Sequence, residues 1–327
     1  MKKFLTFIFM LILVFSCGNK NETKSNEESK EKIHIVLDWT PNTNHTGLFV
    51  AQEKGFFKDL GLDVTIDQAP EGSTTALIAS GKSQFGISFQ DTLANYFSSD
   101  EKVPVIAVAA LLQHNTSGLV SLKEKNITSF KDLEGKTYAT WEDPIEQAML
   151  KYLMSKEDAD FSKVNVIPYS WDVIRALKTE TDSTWIFYAW DGISLEYNNI
   201  PFNFMEAKVV PELDYYTPVL IANSDFAEKN PEVTKKVLSA IKKGYLYSIE
   251  HVDEAVDILH KQAPELERDF LVKSQTWINN QYVDKDVPWG KFDSNRWNNF
   301  YSWLFNNGII KKSIDKDYGF TNQYLED

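Results

Sequence analysis

Cysteine is nearly absent from these 327 residues: there is one, Cys17. A single thiol excludes an internal disulfide, a Cys-rich zinc site and a Cys-ligated cluster. Basic residues are also short, 34 against 47 acidic, for a formal charge of −13. That balance argues against nucleic acid or any other polyanion as partner. The catalytic loops with short signatures are missing too. No HExxH, Walker loop, G-x-G-x-x-G or G-x-S-x-G occurs, and the five His residues (34, 45, 114, 251, 260) are scattered. Long apolar runs are limited to one, "FLTFIFMLILVF" at Phe4–Phe15. It is shorter than the ~20 residues that a membrane-spanning helix needs.

What is present begins at that run. Basic "MKK" precedes it and Ser16-Cys17 follows, the layout of an export signal. Val14-Phe15-Ser16-Cys17 resembles a bacterial lipobox. Residues 1–16 are therefore expected to be a lipoprotein signal peptide, with Cys17 the lipidated residue. The bland alternative is a plain signal peptide with an incidental cysteine. Residues 17–31 continue without an apolar side chain after Cys17, and no such stretch can bury surface to offset its ordering. They read as a disordered tether from membrane to domain.

From Lys32 the pattern alternates. "KIHIVLD", "LDVTID", "FGISF" and "VPVIAVAAL" have strand character. Between them, "STTALIASGK" starts on Ser/Thr and stops at Gly81, and "DTLANYF" is a second helical stretch. Strand–helix repeats of this length predict βαβ units and a parallel sheet. Near Gly118 a second unit begins, with "KTYAT", "VNVIPY" and "STWIFYA" as strands and Pro144 opening the helix "PIEQAMLKYLMS". "DYYTPVLIAN" is a return strand. The stretch "PEVTKKVLSAIKKGYLYSIEHVDEAVDILHKQ" then reads as helix, and "SNRWNNFYSWLFNNG" as a closing helix with an aromatic core face. The expected architecture is two α/β lobes, residues 32–118 plus 222–327 and residues 119–221, joined by a two-strand hinge. In such sheets ligands sit beyond the carboxyl ends of strands.

Aromatic, amide and acidic residues concentrate at those ends. After the first strand come Trp39, Asn42 and His45; after "FGIS", Phe89, Gln90 and Asp91. Trp141 with Glu142 and Asp143 precedes a helix. Tyr188, Trp190, Asp191 and Glu196 follow "STWIF", and Tyr216 lies at a lobe crossing. A flat heteroaromatic ligand uses this inventory: indole and phenol faces stack on a ring, carboxylates accept from an exocyclic amine, and amides read ring nitrogens. Each has a plainer role as well. Trp39 can be core, His45 can orient its loop, Asp143 can be only a helix cap. Tyr188 and Trp190 alternate on an expected strand and share a face, so both can be packed. No cofactor or metal site is indicated.

"LDWTPNTNHTGLFVAQEKGFFKDLGLDVTI" closely resembles the opening of the NMT1/THI5-like family. "GSTTALIASGKSQFGISFQDTLA", "KDLEGKTYATWEDPIEQAMLK", "FYAWDGISLE" and "DYYTPVLIANSDF" follow in the family's order, so the likeness runs from about Ile33 to Asn230. The resemblance implies a type II periplasmic-binding-protein fold. It implies a monomeric substrate-binding component of an ABC transporter, partnered by a permease and ATPase and held to the cell envelope by a lipid. The ligand implied is a thiamine pyrimidine precursor of the formylaminopyrimidine or hydroxymethylpyrimidine type, with riboflavin or another heterocycle as the alternative. Trp39 and Tyr188 would stack on the ring, Asp191 or Glu196 would accept from its amino group, and Asn42, His45 and Gln90 would read its edge. Trp141, Trp190 and Tyr216 complete the expected ligand set. The family also contains pyrimidine synthases that use pyridoxal phosphate and iron. These carry a Lys and a His in the loop matching "GISFQDTLA", and a Cys-rich motif; this chain has neither, which favours a binder over an enzyme. A further departure is "ATWEDP", where transport members often carry a "GGWGSP"-like turn. Glu142 and Asp143 there disfavour a phosphorylated ligand.

Overall fold

A computed structural model of the chain describes residues 30–70, 72–170 and 172–325. The expected signal peptide, Cys17 and all but the last two residues of the expected tether lie outside the described residues.

Two five-stranded sheets form the frame. The first contains β1 (Glu31–Leu37), β2 (Leu62–Gln68), β3 (Phe85–Ser88), β4 (Val105–Ala110) and β10 (Val219–Asn223), in the order β2-β1-β3-β10-β4. The second contains β5 (Ser117–Leu122), β6 (Thr137–Thr140), β7 (Asn165–Pro168), β8 (Ser183–Phe187) and β9 (Phe202–Glu206), in the order β7-β6-β8-β5-β9. Both sheets are mixed rather than parallel. β10 returns from the other lobe and runs antiparallel to β3 and β4, and β5 runs antiparallel to β8 and β9. The chain crosses between sheets in residues 111–116 and 207–218. Gly118, read as the end of the first unit, is therefore a β5 residue opposite Glu206. A Cβ there would lie 2.2 Å from the Met205 carbonyl oxygen, so the strand pair needs glycine. Val219–Ile221, assigned by sequence to the second unit, belong to the first sheet.

Helices follow the start and stop signals. In the first lobe α1 (Thr46–Glu53), α2 (Phe56–Asp59), α3 (Thr74–Ala79) and α4 (Gln90–Phe97) alternate with strands. The second lobe holds α5 (Pro144–Ser155), α6 (Val173–Thr179) and α7 (Ile193–Tyr197). Asp143 caps α5 by accepting from Ile145 N–H at 2.6 Å, with Pro144 next in the chain. After β10 come α8 (Ser224–Lys229), α9 (Pro231–Glu250), α10 (Val252–His260), α11 (Arg268–Tyr282) and α12 (Ser294–Asn306). The long helix expected from Pro231 onward breaks at His251, whose φ −130°, ψ 59° leaves the helical region. Trp297, Phe300, Tyr301 and Leu304 of α12 are buried, as their three-four spacing predicts. That core runs across the hinge, where Tyr215 stacks on Phe300 at 4.0 Å. Each fully buried side chain of this size contributes ~1.5–3 kcal/mol.

One close helix contact bears on the site. α1 and α9 approach so tightly that a Cβ on Gly244 would lie 2.0 Å from the Gly47 carbonyl oxygen. Beside that contact, the Tyr245 hydroxyl donates to the Asn44 carbonyl at 2.6 Å, tying α9 to the loop after β1.

Candidate functional site between the lobes

The loops that leave β1, β3, β6 and β8 meet between the two sheets. From the first lobe Phe89, which follows β3, places its ring 6.5 Å from Phe187 at the end of β8, with the planes 20° apart. Phe187 in turn lies 5.6 Å from Trp141, which follows β6, at 32°. These three rings form an aromatic wall shared by the lobes. Two residues beyond Phe89, Asp91 lies in the first turn of α4 and is half-buried. Its carboxylate accepts from Thr92 N–H at 2.7 Å and from the Tyr215 hydroxyl at 3.1 Å. Burial, and then the Asp143 carboxylate across the cleft, push its pKa up to about 6.

A second aromatic group forms the lip. Trp39 is 42% exposed, and its ring meets Trp190 edge-on at 6.1 Å. Trp190 meets Phe270 of α11 edge-on at 4.9 Å. Beside them a groove of about 430 Å³ is lined by Asp172, Trp190, Asp191, Tyr197, Glu267 and Phe270, among others, and no lining residue is basic. Burial pushes the Asp191 carboxyl up to about 7. The nearby Tyr169 hydroxyl is also raised, by burial and then by the Asp191 and Asp172 carboxylates. The Tyr197 hydroxyl donates to Glu267 at 3.0 Å, which joins the lobes at the rim.

Trp190 and Asp191 reach this groove because the chain does not continue as a strand. Tyr188–Gly192 is a single π-helical turn leading into α7. The expectation that Tyr188 and Trp190 share one strand face is thereby corrected. π turns of this kind recur at functional sites because they redirect side chains. Tyr188 is turned the other way: it stacks on Trp277 at 4.9 Å, packs edge-on against Phe204, and donates its hydroxyl to Glu196.

Four other residues expected to read the ligand have their polar atoms committed inside the protein. Asn42 caps a 3-10 turn at Thr43–His45, accepting from Asn44 N–H at 2.9 Å and donating to the Thr40 carbonyl at 2.9 Å. His45 is fully buried; its Nδ1 accepts from Asn42 N–H at 3.3 Å, so Nε2 carries the proton and donates to Asp38 at 2.8 Å. Gln90 donates to the Trp297 carbonyl and accepts from Tyr216 N–H, each at 2.9 Å. The Tyr216 hydroxyl accepts from Asp293 N–H at 2.7 Å. Trp39, Trp141, Trp190 and Asp191 are the expected residues that the cleft brings together. Phe89, Phe187, Asp172, Tyr197, Glu267 and Phe270 join them. Phe187 was read only as part of the strand "STWIFYA", and Phe270 sits on a helix that the sequence pattern hides.

Such a site suits a flat ring bearing hydrogen-bond donors or positive charge. Rings stack it, and carboxyls with pKa values near neutrality can accept from it or share a proton with it. Among the described residues no group of three His, Cys, Asp or Glu is arranged to hold a metal ion.

Two mixed sheets, two crossings and a cleft at the strand ends define a periplasmic-binding-protein fold. The chain belongs to the NMT1/THI5-like family, whose model matches residues 42–255. It is 26% identical to the formylaminopyrimidine-binding protein of Halalkalibacterium halodurans, over 98% of this chain and 99% of that one. It is 28% identical to a 4-amino-5-hydroxymethyl-2-methylpyrimidine phosphate synthase of Saccharomyces cerevisiae, over 91% and 88%. The periplasmic aliphatic sulphonate binding protein of Escherichia coli superposes with a TM-score of 0.71 at 13% identity, covering 90% of this chain and 99% of that one.

Proposed function

We propose that this chain is a lipid-anchored solute-binding protein that captures an aminopyrimidine of the thiamine-precursor type and delivers it to an ABC permease and its ATPase. The observation that carries this reading is the pairing of aromatic walls with an interlobe groove whose charged lining residues are all acidic. Trp39 and Trp190 at the lip and Trp141, Phe187 and Phe89 deeper in offer stacking faces, and Asp191 in the groove lining offers an acceptor for an amino group. Formylaminopyrimidine is the ligand named for a relative that is alike over nearly the whole chain. Closure by hinge motion at residues 111–116 and 207–218 would enclose the ring. Cys17 supplies the anchor in this reading, and its replacement by serine should release the protein from membranes.

The synthase reading has support in relatives that bear that name. Its cofactor does not fit this cleft. The loops Asp38–Thr46, Ser88–Thr92, Thr140–Pro144 and Phe187–Gly192 contain no lysine to form an imine with pyridoxal phosphate. A phosphate there would face Asp91, Glu142, Asp143 and Asp191.

Tryptophan quenching against formylaminopyrimidine, hydroxymethylpyrimidine, thiamine and riboflavin tests the proposal. Saturable binding of an aminopyrimidine, stronger than that of riboflavin, is expected. No binding by any of the four would overturn the ligand class.

A further inference from the structure

Behind the loop after β6 lies a carboxyl that the binding reading leaves unused. Glu146, in the first turn of α5, is 3% exposed. Its Oε2 accepts from the Thr140 hydroxyl at 2.6 Å. That hydroxyl accepts from Glu142 N–H at 3.0 Å and from the Gln147 side-chain amide at 3.1 Å, which fills both lone pairs. Its proton is therefore committed to Glu146. Among the described residues Glu146 Oε1 has no hydrogen-bond partner, and the Trp141 backbone is the one further group that bonds to the carboxyl. A carboxylate with one oxygen buried and unsolvated is far costlier than a neutral acid in the same place.

The turn that this network holds is under strain. Glu142 has φ +64°, a left-handed conformation that costs a residue with a side chain roughly 1–2 kcal/mol. Such a conformation persists only where its surroundings over-determine it. Here the surroundings are Thr140, Gln147 and Glu146 on one side and the Asp143 cap on the other. The residue carried through the turn is Trp141, whose ring lies against Phe187.

We propose that Glu146, as a neutral acid, is the positioning residue that locks the Thr140–Pro144 turn and thereby holds Trp141 in the ligand wall. The proposal rests on the reading of the interlobe cleft as the ligand site. The acid's titration agrees with it: burial pushes the pKa up to about 8, against a smaller downward pull from the Trp141 backbone. Glu142 and Asp143 are the titratable groups on the turn, and Tyr138 is the one on β6. Lys131, Asp132 and Lys163 lie on the 3-10 turns Phe130–Leu133 and Phe161–Lys163 packed on α5. None of these contributes to the shift, which is one of burial.

The test compares the full chain with Glu146→Gln, Glu146→Ala, Thr140→Val and Trp141→Phe from pH 6 to 9.5. The indole resonance of Trp141, assigned by its loss in Trp141→Phe, should move with a midpoint near pH 8 in the wild type and stay fixed in Glu146→Gln. The dissociation constant for formylaminopyrimidine should rise about tenfold above that midpoint in the wild type only. Glu146→Gln should bind normally at pH 7, whereas Thr140→Val should weaken binding at every pH. Titration of Asp191 near pH 7 is common to wild type and Glu146→Gln, so their difference isolates Glu146. A Trp141 signal independent of pH, or a Glu146→Gln profile identical to the wild type, would overturn the proposal. A Trp141 transition near pH 8 without binding of the probe would uphold the role of Glu146 and reject the ligand class.

Discussion

The loop after β1 and the loop after β6 carry similar residues and spend them differently. Both lead from the end of a strand into a helix, and both combine a tryptophan with acids and hydrogen-bonding side chains. In the first loop Asp38, Asn42 and His45 satisfy one another, and only Trp39 is left facing outward. In the second, Thr140, Glu146 and Gln147 form the scaffold behind the turn, while Glu142 and Asp143 are exposed. Polar decoration of a strand end therefore does not mark ligand readers. An account of each donor and acceptor does, because a side chain whose valences are filled by protein has none left for a solute.

The contrast breaks most sharply at His45. His45→Ala should cost about 3 kcal/mol of stability, because it opens a filled core position and leaves the Asp38 carboxylate without its donor. Urea unfolding should show this, while affinity in the fraction that remains folded changes little. A loss of affinity without a loss of stability would move His45 to the ligand side. The reverse is expected at Trp141. Trp141→Ala should weaken aminopyrimidine binding by about tenfold, as expected for one lost stacking face, with a smaller change in stability than at His45. Calorimetric titration and urea melts on the same variant separate the two. The smallest effect belongs to Glu142. Glu142→Gly should stabilise the fold by about 0.5–1 kcal/mol, since glycine takes φ +64° without strain but loses more entropy on folding. Thermal melts check it, and destabilisation would mean that the Glu142 side chain makes a contribution larger than the strain it imposes.

Much of the frame was legible because apolar runs and helix punctuation coincide. The strands at "KIHIVLD", "LDVTID" and "VNVIPY", and the Asp143-Pro144 start of α5, lie within a residue or two of their expected positions. β9, "FNFME", and α11, "RDFLVKSQTWINNQY", were not legible. β9 is an edge strand buried on neither face fully, and α11 is rich in polar residues, several of them buried. Within the site, alternation at Tyr188 and Trp190 has the period of a strand, but the backbone turns immediately after Phe187. Gln90 and Tyr216 show a different limit. Whether a buried amide or phenol faces a solute or another segment depends on contacts made across 77 to 207 residues of chain, which no local pattern encodes.

The glycine contact between α1 and α9 makes the cleft answer to events on the far side of the first lobe. A single methyl on Gly244 would collide with the Gly47 carbonyl and push the two helices apart. The Tyr245 hydroxyl would travel with α9, and with it the Asn44 carbonyl that it holds. Asn44 belongs to the same loop as Trp39, so the helix pair acts as a lever arm whose short end is one carbonyl and whose long end is the outermost indole of the cleft.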